Sequence, residues 1–202
     1  MKLGIYGGSF DPVHLGHLLV AQAAVEELGL DKLFFIPAAQ SPFKPDSQPA
    51  PASARLQLLR LALAGKTHYE IDEQEIRRGG VSYTVDTLRD YAKKFPGAKL
   101  FYLIGTDHVA KLNEWREPNE LARLAEFVAI PRPVRSSGFS RSEPPEGGTP
   151  NFPSPFRGRS LKGFPLAVSS QEIRARVKAG SPIEPLVPPI VAEAIRNNRL
   201  YL

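Results

Sequence analysis

Two histidines three residues apart, His14 and His17, follow a glycine pair in the string Gly7-Gly8-Ser9-Phe10-Asp11-Pro12-Val13-His14-Leu15-Gly16-His17. The string lies between an apolar, strand-like run, Lys2 to Tyr6, and a stretch of helical period, Leu15 to Leu28, that stops at Gly29. Glycines at such a junction let the backbone approach a ligand, and a helix N-terminus offers unpaired amides and the positive end of its dipole, so the junction suits phosphate. A spacing of three puts both imidazoles on one helical face, where they can donate hydrogen bonds to phosphate oxygens, and Gly16 keeps the surface between them open. The spacing is not GxGxxG and no Gly-Lys-Ser/Thr follows, so neither the dinucleotide fingerprint nor the phosphate loop of ATPases is matched. A zinc site lacks ligands: there is no cysteine, only His68 and His108 remain, and a third ligand would be a distant carboxylate. An isolated HxxH often only caps or packs, but the full eleven-residue string argues for more.

Further residues suit the same chemistry. Val168-Ser169-Ser170-Gln171-Glu172-Ile173-Arg174 reads as a helix start, with Ser169 and Glu172 spaced as a capping box, two hydroxyls near free amides, and Arg174 able to offer a bidentate guanidinium to phosphate. An ordinary capped surface helix reads the same way. Trp115, the only tryptophan, offers a flat face to a planar heterocycle or serves as a partly buried core residue.

The eleven-residue string resembles the amino-terminal signature of the bacterial nicotinate mononucleotide adenylyltransferases. Its HxGH core is shared with phosphopantetheine and glycerol-phosphate nucleotidyltransferases and, more distantly, with class I aminoacyl-tRNA synthetases, so alone it implies only adenylyl or cytidylyl transfer. The 168–174 string is similar to the family's Ile-Ser-Ser-Thr-x-Ile-Arg, with Gln171 replacing threonine. Ser82-Tyr83-Thr84-Val85-Asp86-Thr87-Leu88 is similar to its Ser-Tyr-Thr-x-Asp-Thr-Leu, whose amides receive the pyridine carboxylate. Gly105-Thr106-Asp107 with downstream Trp115, and Arg132 between Pro131 and Pro133, also resemble family positions. Lys44 matches a lysine that normally follows Pro-His, although here Phe43 stands in the histidine's place.

The resemblance implies adenylyl transfer from ATP to nicotinate mononucleotide, with His14, His17 and Arg174 as catalytic groups. It implies ATP contacts at Gly7, Gly8, Ser9, Phe10, His14, His17, Gly105, Asp107, Arg132, Ser169, Ser170, Ile173 and Arg174. Lys44, Thr84, Trp115 and Arg116 would contact nicotinate mononucleotide. Mg2+ would accompany ATP, held through substrate phosphates rather than a protein cage, with Asp107 a further candidate contact. The attacking phosphate monoester, with its second pKa near 6, is already mostly deprotonated at neutral pH, so alignment and charge stabilisation replace a general base. A phosphopantetheine transferase would not need the 82–88 segment or Trp115. A non-catalytic sensor could dispense with a histidine or with Arg174.

The elements that must position these groups alternate. Lys32 to Ile36, Tyr69 to Asp72, Leu100 to Ile104 and Phe127 to Ile130 read as further strands, and Ser53 to Ala64, Thr84 to Phe95, Asn119 to Ala125, Ser169 to Lys178 and Ile190 to Asn198 as helices. This predicts an α/β fold: a Rossmann-like doubly wound parallel sheet with helices on both faces, in one domain spanning 1–202 with a small C-terminal helical part. Residues 133–164, rich in Pro, Gly and Ser, read as a surface insert or loop. The chain has 202 residues, 42% of them hydrophobic, no cysteine and a net charge of +5, which suits anionic ligands without choosing among them. No basic block points to nucleic acid, and glycines near the start and the lack of any long apolar run point away from a signal peptide or membrane partner. A cytoplasmic monomer or homo-oligomer acting on small molecules is expected.

Overall fold

A computed structural model describes residues 1–42, 48–131, 150–163 and 166–202. In chain order the elements are β1 (Lys2–Gly8), α1 (Leu15–Leu28), β2 (Lys32–Pro37), α2 (Ala52–Leu63), β3 (Tyr69–Ile71), α3 (Gln74–Arg78) and α4 (Thr84–Lys94). They continue with β4 (Lys99–Gly105), α5 (Thr106–Val109), a 3-10 turn (Leu112–Glu114), α6 (Pro118–Leu124), β5 (Glu126–Ile130), β6 (Gly158–Ser160), α7 (Ser170–Lys178) and α8 (Pro189–Asn197). All strand pairs are parallel, in the order β3-β2-β1-β4-β5-β6.

The sheet is apolar on both faces because its strands alternate between two cores. Leu3, Ile5, Phe34, Ile36, Leu100, Tyr102 and Ile104 pack on one face with Val85, Leu88 and Tyr91 of α4 and Leu121 of α6. Tyr6, Leu33, Phe35, Phe101, Leu103 and Val128 point to the other, against Ala21 and Ala24 of α1, Leu58 and Leu59 of α2, and Val191 and Ile195 of α8. Successive side chains of a strand point to opposite faces, so a strand covered on both sides reads as an unbroken apolar run.

The chain winds outward from β1 toward β3, returns to β4 beside β1, and winds outward again to β6. The direction therefore reverses between β1 and β4, and open α/β sheets hold ligands in the crevice at such a point. β1 ends at Gly8 and β4 at Gly105, so the strongest motif of the sequence lies at this crevice.

The sixth strand corrects the reading of 133–164 as lacking any element. Gly158 pairs with Phe127 and Ser160 with Ala129, Phe156 and Leu161 are buried, and the Lys162 and Gly163 amides donate to Glu27 of α1 at 2.9 and 2.8 Å. Three residues of Gly-Arg-Ser composition show no period, so only tertiary pairing makes them a strand. The helices α3 and α5, of five and four residues, are likewise too short to show one.

Candidate active site

The loop after β1 is held tightly. Phe10 has φ +46°, a left-handed conformation unusual for a bulky residue, and its ring is fixed at 5.5 Å from Tyr6, 5.4 Å from Phe35 and 5.0 Å from His17. Beneath the loop the Arg55 guanidinium, only 2% exposed, donates to the carbonyls of Ser9 at 2.8 Å, Ala38 at 2.9 Å and Ala50 at 3.1 Å. Sequence reading missed this residue. Its signal was its position on the same face of α2 as Leu58, Leu59 and Ala62, where a solvated arginine would not sit.

His14 does not share a helical face with His17. It is the N-cap of α1, with extended φ −145° and ψ 171°, and the two residues cap the helix reciprocally. The His17 amide donates to His14 Nδ1 at 3.3 Å, the His14 amide donates to His17 Nδ1 at 3.2 Å, and the rings stack with centroids 3.7 Å apart. Each Nδ1 therefore accepts, which puts the ring proton on Nε2 in the neutral form and fixes both imidazoles as Nε2–H donors. Burial lowers the His14 pKa to about 4, so this ring is neutral at pH 7. Gly16 lets the rings and the 168–170 segment close up: a Cβ there would lie 2.9 Å from Val168 Cγ1 and 3.1 Å from the His14 ring.

The second motif arrives from the other end of the chain. Ser169 caps α7 by accepting from the Glu172 amide at 3.2 Å, Ser170 Oγ donates to the Pro12 carbonyl at 2.9 Å, and Arg174 Nη1 donates to the Asp11 carbonyl at 2.6 Å. Loop and helix thus form one surface of N–H and O–H donors. They border a cavity of about 610 Å3 that runs between the ends of β1 and β4.

Ser82, Thr84, Tyr102 and Trp115 line the same cavity. The first turn of α4, starting at Thr84, has no side-chain cap, and an uncapped helix N-terminus is suited to an anion. Thr84 Oγ1 donates to the Tyr102 hydroxyl at 3.1 Å, and Gly7 makes room for that hydroxyl, since a Cβ there would come within 2.6 Å of it. Trp115 stands edge-on to Tyr102, His108 and Phe127, each at 6.2 Å. Below lies Glu75, 5% exposed, accepting from Thr87 Oγ1 at 2.6 Å, and burial raises its pKa despite that bond. Glu75 and Tyr102 were not anticipated from sequence. One sits on a helix too short to show a pattern, and the other looks like any strand residue.

Of the expected residues, the cavity brings together Gly7, Gly8, Ser9, Phe10, His14, His17, Thr84, Gly105, Trp115, Ser169, Ser170 and Arg174. Three others do not line it. Ile173 is fully buried in the core, Asp107 lies 3.7 Å from His108 Nε2 on α5, and Arg116 stacks over the Tyr83 ring at 4.6 Å. Lys44, Phe43 and Arg132 lie outside the described residues. Among the described residues no cluster of three His, Cys, Asp or Glu side chains suits a metal ion, and no helix is long and apolar enough to cross a membrane.

A reversal-point cavity, a histidine-capped helix and an arginine in the second turn of another helix define a nucleotidyltransferase-type site, and the cytidylyltransferase-like family model matches residues 5–176. A probable nicotinate-nucleotide adenylyltransferase of Opitutus terrae is 40% identical over 201 residues, covering 100% of this chain and 98% of the relative. One from Chromobacterium violaceum is 38% identical over 212 residues, covering 99% and 98%. The chain belongs to the nicotinate-nucleotide adenylyltransferases. In fold it is similar to the Plasmodium falciparum nicotinic acid mononucleotide adenylyltransferase complexed with NaAD, with a TM-score of 0.72 at 17% identity over 99% of this chain and 97% of that one.

Proposed function

We propose that this protein transfers the adenylyl group of ATP to nicotinate mononucleotide, giving nicotinate adenine dinucleotide and pyrophosphate, the dinucleotide precursor of NAD. The observation that carries the reading is the single cavity with a donor-lined phosphate end (His14, His17, Ser169, Ser170, Arg174) and a ring end (Thr84, Tyr102, Trp115). ATP lies along the β1 loop and the start of α7. The pyridine ring lies by Trp115 with its carboxylate at the amides of α4, and the mononucleotide phosphate attacks the α-phosphorus in line. Charge grows on the bridging and non-bridging oxygens, and Nε2–H donors and a guanidinium already in place stabilise it without reorganising. Magnesium accompanying ATP would be held through substrate phosphates and water and would supply positive charge to the triphosphate, while His14, His17, Ser169, Ser170 and Arg174 supply donors to phosphate oxygens.

The deciding experiment follows pyrophosphate release from ATP and magnesium with nicotinate mononucleotide, nicotinamide mononucleotide or phosphopantetheine. Release is expected with nicotinate mononucleotide, more slowly with the amide and not with phosphopantetheine. Silence with all three overturns the reading. His17→Ala is expected to lower kcat by about 100-fold or more, as loss of one preorganised donor does elsewhere, with the circular dichroism spectrum unchanged. Full turnover in that variant would remove His17 from the mechanism.

A further inference from the structure

Asp11 lies inside the nucleotide loop and lines the cavity, and its carboxylate also accepts a hydrogen bond from a residue beyond α8. Tyr201 OH donates to Asp11 Oδ1 at 2.8 Å, and the Ala50 amide lies 3.3 Å from each carboxylate oxygen. Asp11 Oδ2 is 3.7 Å from Arg174 Nη1, the same nitrogen that donates to the Asp11 main-chain carbonyl at 2.6 Å. Arg174 is thus hydrogen-bonded to the backbone of Asp11, and the Asp11 carboxylate forms an ion pair with it that stops short of a hydrogen bond. Tyr201 has φ +68°, a conformation that non-glycine residues keep only where surrounding contacts hold them. Burial and the adjacent carboxylate keep its phenol protonated and so a donor.

A carboxylate and a guanidinium this close tend to close into a bidentate pair, and a guanidinium so paired has donors and charge diverted from phosphate. Two groups donate to the Asp11 carboxylate in its present orientation: the shared Ala50 amide and the Tyr201 hydroxyl. Of these, the short bond to Tyr201 is the stronger restraint on Oδ1.

We propose that Tyr201 is a positioning residue for adenylyl transfer, holding the Asp11 carboxylate at ion-pair distance and short of a bidentate pair with Arg174, so that the guanidinium's donors stay presented to the transferring phosphates. The proposal rests on the reading of Arg174 as a phosphate-binding group, and the test separates the two. Tyr201→Phe keeps the ring and removes the hydroxyl. It is assayed alone and combined with Arg174→Lys, at a temperature where melting curves show every variant folded. The expected result is a fall in kcat of about tenfold for Tyr201→Phe, with the KM for nicotinate mononucleotide unchanged. In the Arg174→Lys background, where the fork that pairs with a carboxylate is gone, the same change is expected to cost about twofold at most. A merely structural hydroxyl would cost the same in both backgrounds, and that outcome, or wild-type kcat in the single variant, overturns the positioning role. Unchanged turnover in Arg174→Lys alone would overturn the reading of Arg174 and the proposal with it.

Discussion

His14 and His17 hold a helix end through Nδ1, and in the proposed function the same two rings turn Nε2–H toward phosphate. Because the backbone amides occupy both Nδ1 positions, the tautomer is fixed before any ligand arrives. The same burial gives His14 a signature in stability. With a folded pKa of about 4 against 6.5, the unfolded chain takes up a proton first as pH falls. Stability is therefore intact above pH 6.5 and lost progressively down to about 4. At about 1.4 kcal/mol per unit, the loss approaches about 3 kcal/mol. Urea unfolding of the wild type and His14→Gln across this range is expected to show the steeper decline in the wild type. Parallel curves would mean that His14 titrates normally. The chemistry of this pair was legible from its letters, but its geometry was not: a spacing of three suggests a shared helical face, and only the extended backbone at position 14 turns it into a cap.

At the scale of elements, the fold was legible wherever burial covers both faces of a long run. The Lys2 to Tyr6 and Leu100 to Ile104 strands and the Leu15 to Leu28 helix lie where periodicity places them. Elements made by tertiary contact alone were not: α3 exists because Glu75 is drawn under α4, and β6 because Gly158 to Ser160 lie against β5. The tie between α3 and α4 has a measurable role. Thr87→Val keeps the shape of the side chain but leaves the buried Glu75 carboxyl without that donor, at a cost of about 1–3 kcal/mol in denaturant unfolding. If α4 receives the pyridine end, as proposed, the KM for nicotinate mononucleotide is expected to rise severalfold while that for ATP stays put. Equal rises in both would place the effect on the whole fold.

Over the whole molecule, the site is assembled from both ends of the chain. Motifs that stand more than 150 residues apart in the sequence, at His14 and Ser169 to Arg174, meet through the Pro12 and Asp11 carbonyls. Spacing alone offers no sign of that meeting, and the contacts of Arg55, Asp11 and Tyr201 around the loop are tertiary and leave no pattern in the sequence. The strand order also sets where the structure yields last. β1 pairs with β2 on one side and β4 on the other, whereas β3 and β6 each have one neighbour. Amide hydrogen exchange is expected to be slowest for Leu3 to Tyr6 and Leu100 to Leu103, and faster for the edge strands. Comparable exchange at β6 and β1 would contradict that ranking. Since the loop that carries His14 and His17 grows directly out of β1, these two residues are rooted in the segment expected to open last. Heat inactivation should therefore coincide with global melting instead of preceding it, and a thermal curve traced by turnover should superimpose on one traced by ellipticity.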